Sequence, residues 1–184
     1  METEETTPKE RESPPPETRA IGLIQDITEE KAEEIIYALK IYSTESQDPI
    51  DLLISSHGGS APDMFAIYDF MRGIRDDVRV VTYGLGKVMS AAVLILAAGT
   101  KGYRKIGKNC RVMIHSVNGG NVGNLQDLKN EMKEIQVTQD AYIAALCDET
   151  LFTKKQLKGM ISKNLNIYLS AAEAVKYGIA DIIV

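Results

Sequence analysis

The chain has 184 residues, enough for one domain with a sizeable core, and its 44% hydrophobic and 26% charged content is that of an ordinary soluble globular protein. A formal net charge of −5 with no basic stripe excludes a nucleic-acid platform. The two cysteines, Cys110 and Cys147, lack metal-ligand spacing and read as buried small hydrophobes in a reducing compartment, so neither a metal nor a disulfide framework is expected.

Met1 to Thr18 holds four of the six prolines and six glutamates against Lys9 and Arg11, with no apolar periodicity. It reads as a disordered acidic tail and not as a signal peptide, since it has no apolar stretch. Order is expected from Arg19 onward, as a single domain to Val184. Ile21–Ile24 reads as a strand. Thr28 is an N-cap candidate, followed by Glu29 and Glu30 where negative charge suits the helix dipole, and Ile35, Ile36 and Leu39 mark the apolar face.

Leu52–Ile54 reads as a buried strand. Pro62 suits the first turn of the next helix, with Phe65, Tyr68 and Met71 at helical spacing. Val78–Tyr83 is a strand rich in β-branched residues. A small, apolar helix follows over Ser90–Ala98 and stops at Gly99. This apolar run is too short to span a bilayer, and a cytoplasmic protein is expected. A strand over Val112–His115 leads into the glycine- and asparagine-rich segment Asn118–Asn124.

A long helix is expected from about Leu125 to Leu146, with Leu128, Met132, Ile135 and Ile143 on its apolar side. A shorter helix begins after Thr153. Ser170-Ala171-Ala172-Glu173 has the capping-box pattern, the last helix ends at Gly178, and Ile179–Val184 closes the chain as a strand. Strands alternating with helices give an α/β layered fold with a largely parallel sheet.

Three features carry chemistry together. Ser90 opens a buried helix, His115 ends an apolar strand, and Ser56-His57-Gly58-Gly59 is a paired-glycine turn after a buried strand. They are the parts of an acyl-transfer site: a nucleophile, a base and backbone N–H donors for an oxyanion. Each has a blander reading alone. Ser90 suits a helix start, His115 a hydrogen-bonded structural role, and the glycine pair a plain turn.

The joint pattern resembles the ClpP-type self-compartmentalised serine peptidases, from about Arg19 to Val184. Gly86-Lys87-Val88-Met89-Ser90 is similar to the family's segment leading to the nucleophile. Ala98-Gly99-Thr100-Lys101-Gly102 and Arg111-Val112-Met113-Ile114-His115 follow in family register. Ser56-His57-Gly58-Gly59 resembles its Ser-Pro-Gly-Gly turn, Ile67-Tyr68-Asp69 falls where the family has the same tripeptide, and Leu169–Ala174 resembles its last helix start. The resemblance implies a ClpP/crotonase-like layered fold of repeated β-β-α type units with a protruding helix-strand handle. It implies Ser90 as nucleophile, His115 as general base, and the Gly59 and Ala91 N–H groups as the oxyanion hole. Gly119, Gly120, Asn121 and Val122 would line the substrate cleft, where extended peptide binds as an added strand.

It also implies a peptide or unfolded-protein substrate, rings or stacked rings of identical subunits, and a possible AAA+ unfoldase or sister ClpP-like subunit as partner. No cofactor is implied; ATP would be spent by that partner, because this chain has no phosphate-binding glycine-lysine loop.

Four departures stand out. The family's aspartate falls on Asn166, which can orient the imidazole through its side-chain oxygen but supplies no countercharge; if it does not face the ring, the site is a Ser–His dyad. The stretch from Gly59 to Ser90 is two residues longer than the family spacing, and the extra length fits within Tyr83–Gly86. His57 replaces the usual proline. The acidic tail replaces the family's axial-loop segment and leading helix, which bears on docking to an unfoldase.

Three rivals stay open. A crotonase-like enzyme would bind acyl-CoA through the same glycine donors. A Ser–Lys peptidase would use Lys87, which needs desolvation to lose its proton near neutral pH. A non-catalytic subunit would only build or cap a ring.

Overall fold

The computed structural model describes residues 18–120, 122–162 and 166–184. The expected tail, Met1–Thr18, lies outside these apart from Thr18. In chain order the elements are β1 (Ala20–Leu23), α1 (Glu29–Glu45), β2 (Ile50–Ser56), α2 (Ala61–Ile74), β3 (Val80–Met89), α3 (Ala91–Ala97), β4 (Arg104–Ile106), β5 (Arg111–Ile114), α4 (Leu125–Glu149), α5 (Lys154–Ile161), β6 (Ile167–Leu169), α6 (Ala171–Lys176) and β7 (Ile182–Ile183).

Local chemistry accounts for the boundaries. The Thr28 side chain caps α1, and Ser60 caps α2 with Pro62 in its first turn. Thr153 and Ser170 each close a full capping box, satisfying two orphan N–H donors reciprocally at α5 and α6. Gly178, at φ +71°, ends the α6 segment in the left-handed conformation that glycine takes without a Cβ penalty.

The main sheet runs β1-β2-β3-β4-β7, with parallel pairing throughout. Along β1 and β2 buried residues such as Leu23, Leu52 and Ile54 alternate with partly exposed ones, so one face of the sheet packs on the core while the other stays half-open, and the edge strand β7 is exposed. At the centre sits α3, buried on every side as an all-apolar helix has to be.

The ten-residue β3 serves two partners in succession. Its first half pairs with β4 through Thr82–Arg104, Tyr83–Lys105 and Gly84–Ile106. Its second half pairs with β5 through Lys87–Arg111, Val88–Val112 and Met89–Met113, and β6 joins β5 antiparallel. Between the paired steps Ile54–Gly84 and Ser56–Val88, β3 advances four residues while β2 advances two. The two extra residues form a bulge between Gly84 and Val88, overlapping only the end of the Tyr83–Gly86 stretch that the sequence marks as longer, with Gly86 at φ +65°.

Three expectations shift. β3 continues past Tyr83 to Met89, because pairing with β5 holds the glycine-containing half in the sheet. β4 and β6, three residues each, carry too few residues for a periodicity to show. Within α4, Tyr142, Ile143, Ala145 and Leu146 are buried, but Leu125, Leu128, Met132 and Val137 are exposed. The first half of α4 projects beyond its own sheet with an apolar face uncovered.

The far end of α4 is tied down by charge. Glu149 is buried and accepts from Tyr68 at 3.1 Å and Arg75 at 2.8 Å, and Arg104 donates to the Glu149 backbone oxygen at 2.7 Å and pairs with Asp181. A carboxylate opposes the dipole at a helix C-terminus, and the Arg75 pair offsets that. Burial, with Glu149 beside it, pushes the Tyr68 hydroxyl up to about 12. Among the described residues no helix is long and apolar enough to cross a membrane.

Candidate active site

The C-terminal ends of β2, β3 and β5 lie together, the place where open parallel sheets present their loops to ligands. Ser90 follows β3 directly. Its N–H donates to the Met113 oxygen at 2.7 Å, extending the β3–β5 ladder by one rung before α3 begins. His115 follows β5 directly. This parallel pairing brings together two residues that are 25 apart in sequence: the His115 Nε2 lies 2.7 Å from the Ser90 Oγ.

Ser90 is held in an unusual pose. Its φ of 54° and ψ of −125° make it the one positive-φ residue other than glycine among the described residues. Such a conformation costs on the order of 1–3 kcal/mol and persists only where neighbours over-determine it. Here they do. The Ser90 N–H is fixed by Met113, while its carbonyl accepts from the Val93 N–H at 3.0 Å and the Tyr142 hydroxyl at 2.9 Å. The sharp strand-to-helix turn leaves the Ser90 side chain uncommitted to capping α3 and free to face His115.

The glycine turn closes the other side. The Ser56 Oγ accepts from the Gly58 N–H at 3.0 Å. Ile27 clasps the turn: its N–H donates to the Gly58 oxygen at 2.7 Å, and the Ser60 N–H donates to the Ile27 oxygen at 2.9 Å. Gly58, at φ +102°, packs under Ser90, where a Cβ would meet the Ser90 Cβ at 2.7 Å and the Met89 oxygen at 2.8 Å. Gly59, at φ +144°, lies so close to Ile27 that a Cβ would sit 2.2 Å from its oxygen. The Gly59 and Ala91 N–H groups make no hydrogen bond among the described residues and stand ready for an external acceptor.

Ser90, Ala91, His115, Gly59 and Gly119 line one cavity of about 520 Å³. Its far wall is α4, through Glu131, Ile135, Thr138 and Tyr142, and α2 adds Pro62 and Met64. Those α4 residues recur at helical spacing on one face. Of the other cleft residues expected from the sequence, Gly120 and Val122 are exposed and outside this lining, and Asn121 lies outside the described residues. Lys87 does not line the cavity. His57 does, and its Nδ1 lies 3.8 Å from Asp26 with both side chains exposed.

The residue facing the second imidazole nitrogen differs from the expectation. Asn166 is exposed and makes no side-chain hydrogen bond to His115 among the described residues. The Nδ2 of Asn118 lies 3.5 Å from the His115 Nδ1. The sequence carries Asn118 only as part of a glycine-rich segment, and nothing in its spacing marks it out. Tyr142 also escapes sequence reading, because its partner is a backbone oxygen 52 residues away. Desolvation lowers the His115 pKa below the ordinary histidine value, which favours the neutral ring, the form able to accept a proton.

A family model described as Clp protease matches residues 16–184. The chain is 36% identical over 169 residues to the ATP-dependent Clp protease proteolytic subunit 1 of Corynebacterium glutamicum, covering 90% of this chain and 78% of that protein. It is 37% identical over 169 residues to subunit 2 of Corynebacterium jeikeium, with 90% and 78% covered. It is 33% identical over 166 residues to subunit 1 of Prochlorococcus marinus, with 90% and 83% covered.

Proposed function

Because the chain belongs to the Clp protease family and is therefore a serine-type peptidase, we propose that Ser90 is its nucleophile and His115 its general base. The observation that carries this reading is the 2.7 Å approach of the His115 Nε2 to the Ser90 Oγ. His115 takes the hydroxyl proton as the Ser90 Oγ attacks the scissile carbonyl carbon. The oxyanion forms between the Gly59 and Ala91 N–H groups, which need no reorganisation. As the intermediate collapses, the C–N bond breaks and His115 gives the proton to the departing amine, leaving an acyl-Ser90. Water then loses a proton to His115, attacks the acyl carbon and frees the acid, and the proton returns to Ser90.

The substrate in this reading is an extended peptide or unfolded chain laid along the Gly119 edge of the cavity. The assembly is a ring of identical subunits, singly or stacked. The uncovered apolar face of α4, with Leu125 70% and Met132 72% exposed, supports burial against other copies. The relatives are named ATP-dependent, and an AAA+ unfoldase or a sister subunit would bring that dependence to this chain. The same reading puts the protein in the cytoplasm with Cys110 and Cys147 as thiols.

Labelling with a serine-directed fluorophosphonate, with the tagged peptide identified by mass, tests the site. The tag is expected on Ser90 and absent from Ser90→Ala; a tag on another serine overturns the assignment. Sedimentation at micromolar concentration tests the assembly, and a monomer at all concentrations would overturn it. No described carboxylate is bonded to His115, and this favours a weakly active subunit as the second reading. A wild-type acylation rate no faster than that of Asn166→Ala and Asn118→Leu would select it.

A further inference from the structure

We propose that Asn118 is the positioning residue for His115, selecting by the orientation of its side-chain amide which ring nitrogen carries the proton. The inference rests on the Ser90–His115 reading. Its ground is the one polar side chain found against the His115 Nδ1 among the described residues, the Asn118 Nδ2 at 3.5 Å.

A neutral imidazole holds one N–H. If Nδ1 keeps it, the Nε2 lone pair faces the Ser90 hydroxyl and can take its proton. If Nε2 keeps it, the ring points a donor at the Ser90 oxygen and cannot act as base. The neighbour of Nδ1 therefore decides whether the site is competent. A carboxylate there only accepts, so it fixes the competent tautomer. An amide offers both an acceptor and a donor. With Nδ2 toward the ring, Asn118 favours the idle tautomer; turned by half a revolution about its Cβ–Cγ bond, it presents Oδ1 and favours the competent one.

Asn118 is free to make that turn. It is exposed, stands outside any helix or strand and is followed by Gly119 and Gly120. At 3.5 Å the contact is at the outer limit of a hydrogen bond and steers the ring weakly at rest. A peptide laid over the Gly119 edge would cover Asn118, exclude water and strengthen whichever bond it makes. The titratable groups facing the same cavity are Glu131 and Glu134 from α4 and His57 from the glycine turn, and none is bonded to the His115 ring. Asn118 thus takes the place that Asn166, exposed and unbonded to the ring, would have filled.

The test compares Asn118→Leu, Asn118→Asp, Asn166→Ala and wild type at matched oligomer size, reading peptide hydrolysis and fluorophosphonate labelling across pH. Asn118→Leu keeps the shape and removes both polar atoms; kcat is expected to fall about tenfold or more. Asn118→Asp leaves an acceptor alone beside the ring and adds a countercharge. It is expected to exceed wild type in kcat and to move the acid limb of the pH profile upward, a shift that a merely structural residue would not cause. Asn166→Ala is expected to lose less than Asn118→Leu. A wild-type rate and an unmoved acid limb in both Asn118 variants overturn the proposal, as does an equal or larger loss in Asn166→Ala. Ser90→Ala separates the two readings: if it still hydrolyses peptide, the Ser90–His115 site fails, whatever the Asn118 variants do.

Discussion

The Tyr142 hydroxyl donates to the backbone oxygen of Ser90 at 2.9 Å, joining the buried half of α4 to the residue that carries the proposed nucleophile. Burial pushes the Tyr142 hydroxyl far above its ordinary value, so it remains a donor at all working pH. The bond also holds a carbonyl that a relaxed backbone would aim elsewhere. Tyr142→Phe removes one oxygen from a buried, satisfied pair and is expected to cost about 1 kcal/mol in denaturant unfolding. It is also expected to slow acylation by the fluorophosphonate, because the Ser90 pose loses one of its restraints. Unchanged acylation with lowered stability would show that Met113 and Val93 suffice to hold the pose.

Strain and chemistry can be separated at Ser90 itself. Ser90→Ala and Ser90→Gly both remove the oxygen proposed to attack, so neither is expected to hydrolyse peptide. They should differ in stability. Glycine accepts φ 54° at no Cβ penalty, whereas alanine keeps it, and Ser90→Gly is expected to be the more stable by about 1 kcal/mol. Equal unfolding midpoints for the two would show that the turn is not strained.

Most of the layout is readable in the sequence because it follows short-range rules. Thr28, Ser60, Thr153 and Ser170 cap helices through local bonds, and buried parallel strands announce themselves as runs such as Leu52–Ile54. The Ser90, His115 and Gly58-Gly59 group is legible because each lies at the end of such a run. What stays hidden depends on packing between distant segments. Tyr142 reads as one more apolar position on α4 until its hydroxyl is placed. Asn118 has no periodicity to betray it, and Asn166 is selected by position in a resemblance, which carries no information on where its side chain points. The exposed half of α4 keeps its apolar spacing, but spacing cannot say whether the surface covering it belongs to the same chain.

Gly58 sits where no side chain fits. A Cβ there would press on the Ser90 Cβ, on the Met89 oxygen and, at 3.0 Å, on the Ala91 nitrogen. Two of these three atoms are backbone and cannot swing aside, and φ +102° is itself unfavourable for alanine. Gly58→Ala is expected to destabilise the fold by about 1–3 kcal/mol and to abolish labelling of Ser90, since relief requires moving Ser90 itself. Wild-type labelling in a folded Gly58→Ala protein would refute this packing.

The pH behaviour follows from the desolvated ring of His115. A base must be neutral, and its lowered pKa keeps it so further into acid than an exposed histidine, so the acid limb of kcat/KM in wild type should lie below the ordinary histidine value of 6.5. The stability consequence has the same sign. The unfolded chain takes up a proton at His115 at a pH where the folded chain does not. This contribution is therefore fully present above the unfolded pKa and is lost as pH falls through the folded one. The unfolding midpoint of wild type minus that of His115→Gln, measured from pH 7.5 down to pH 5, should decrease as pH falls. An increase would mean that the folded state prefers the imidazolium.

The bulge between Gly84 and Val88 makes β3 two strands joined by a slack link. One half is locked to β4 and the hydrophobic core, the other to β5 and the residues around Ser90. A residue gained or lost in an ordinary strand would turn every later side chain to the wrong face. Here the pairing is already interrupted on the β2 side, so a change of two residues in the link keeps both faces in phase. The length of chain leading to Ser90 can thus change by two residues while the core and the edge that carries Ser90 each keep their own register. The same link is the natural place to graft sequence from one relative onto another.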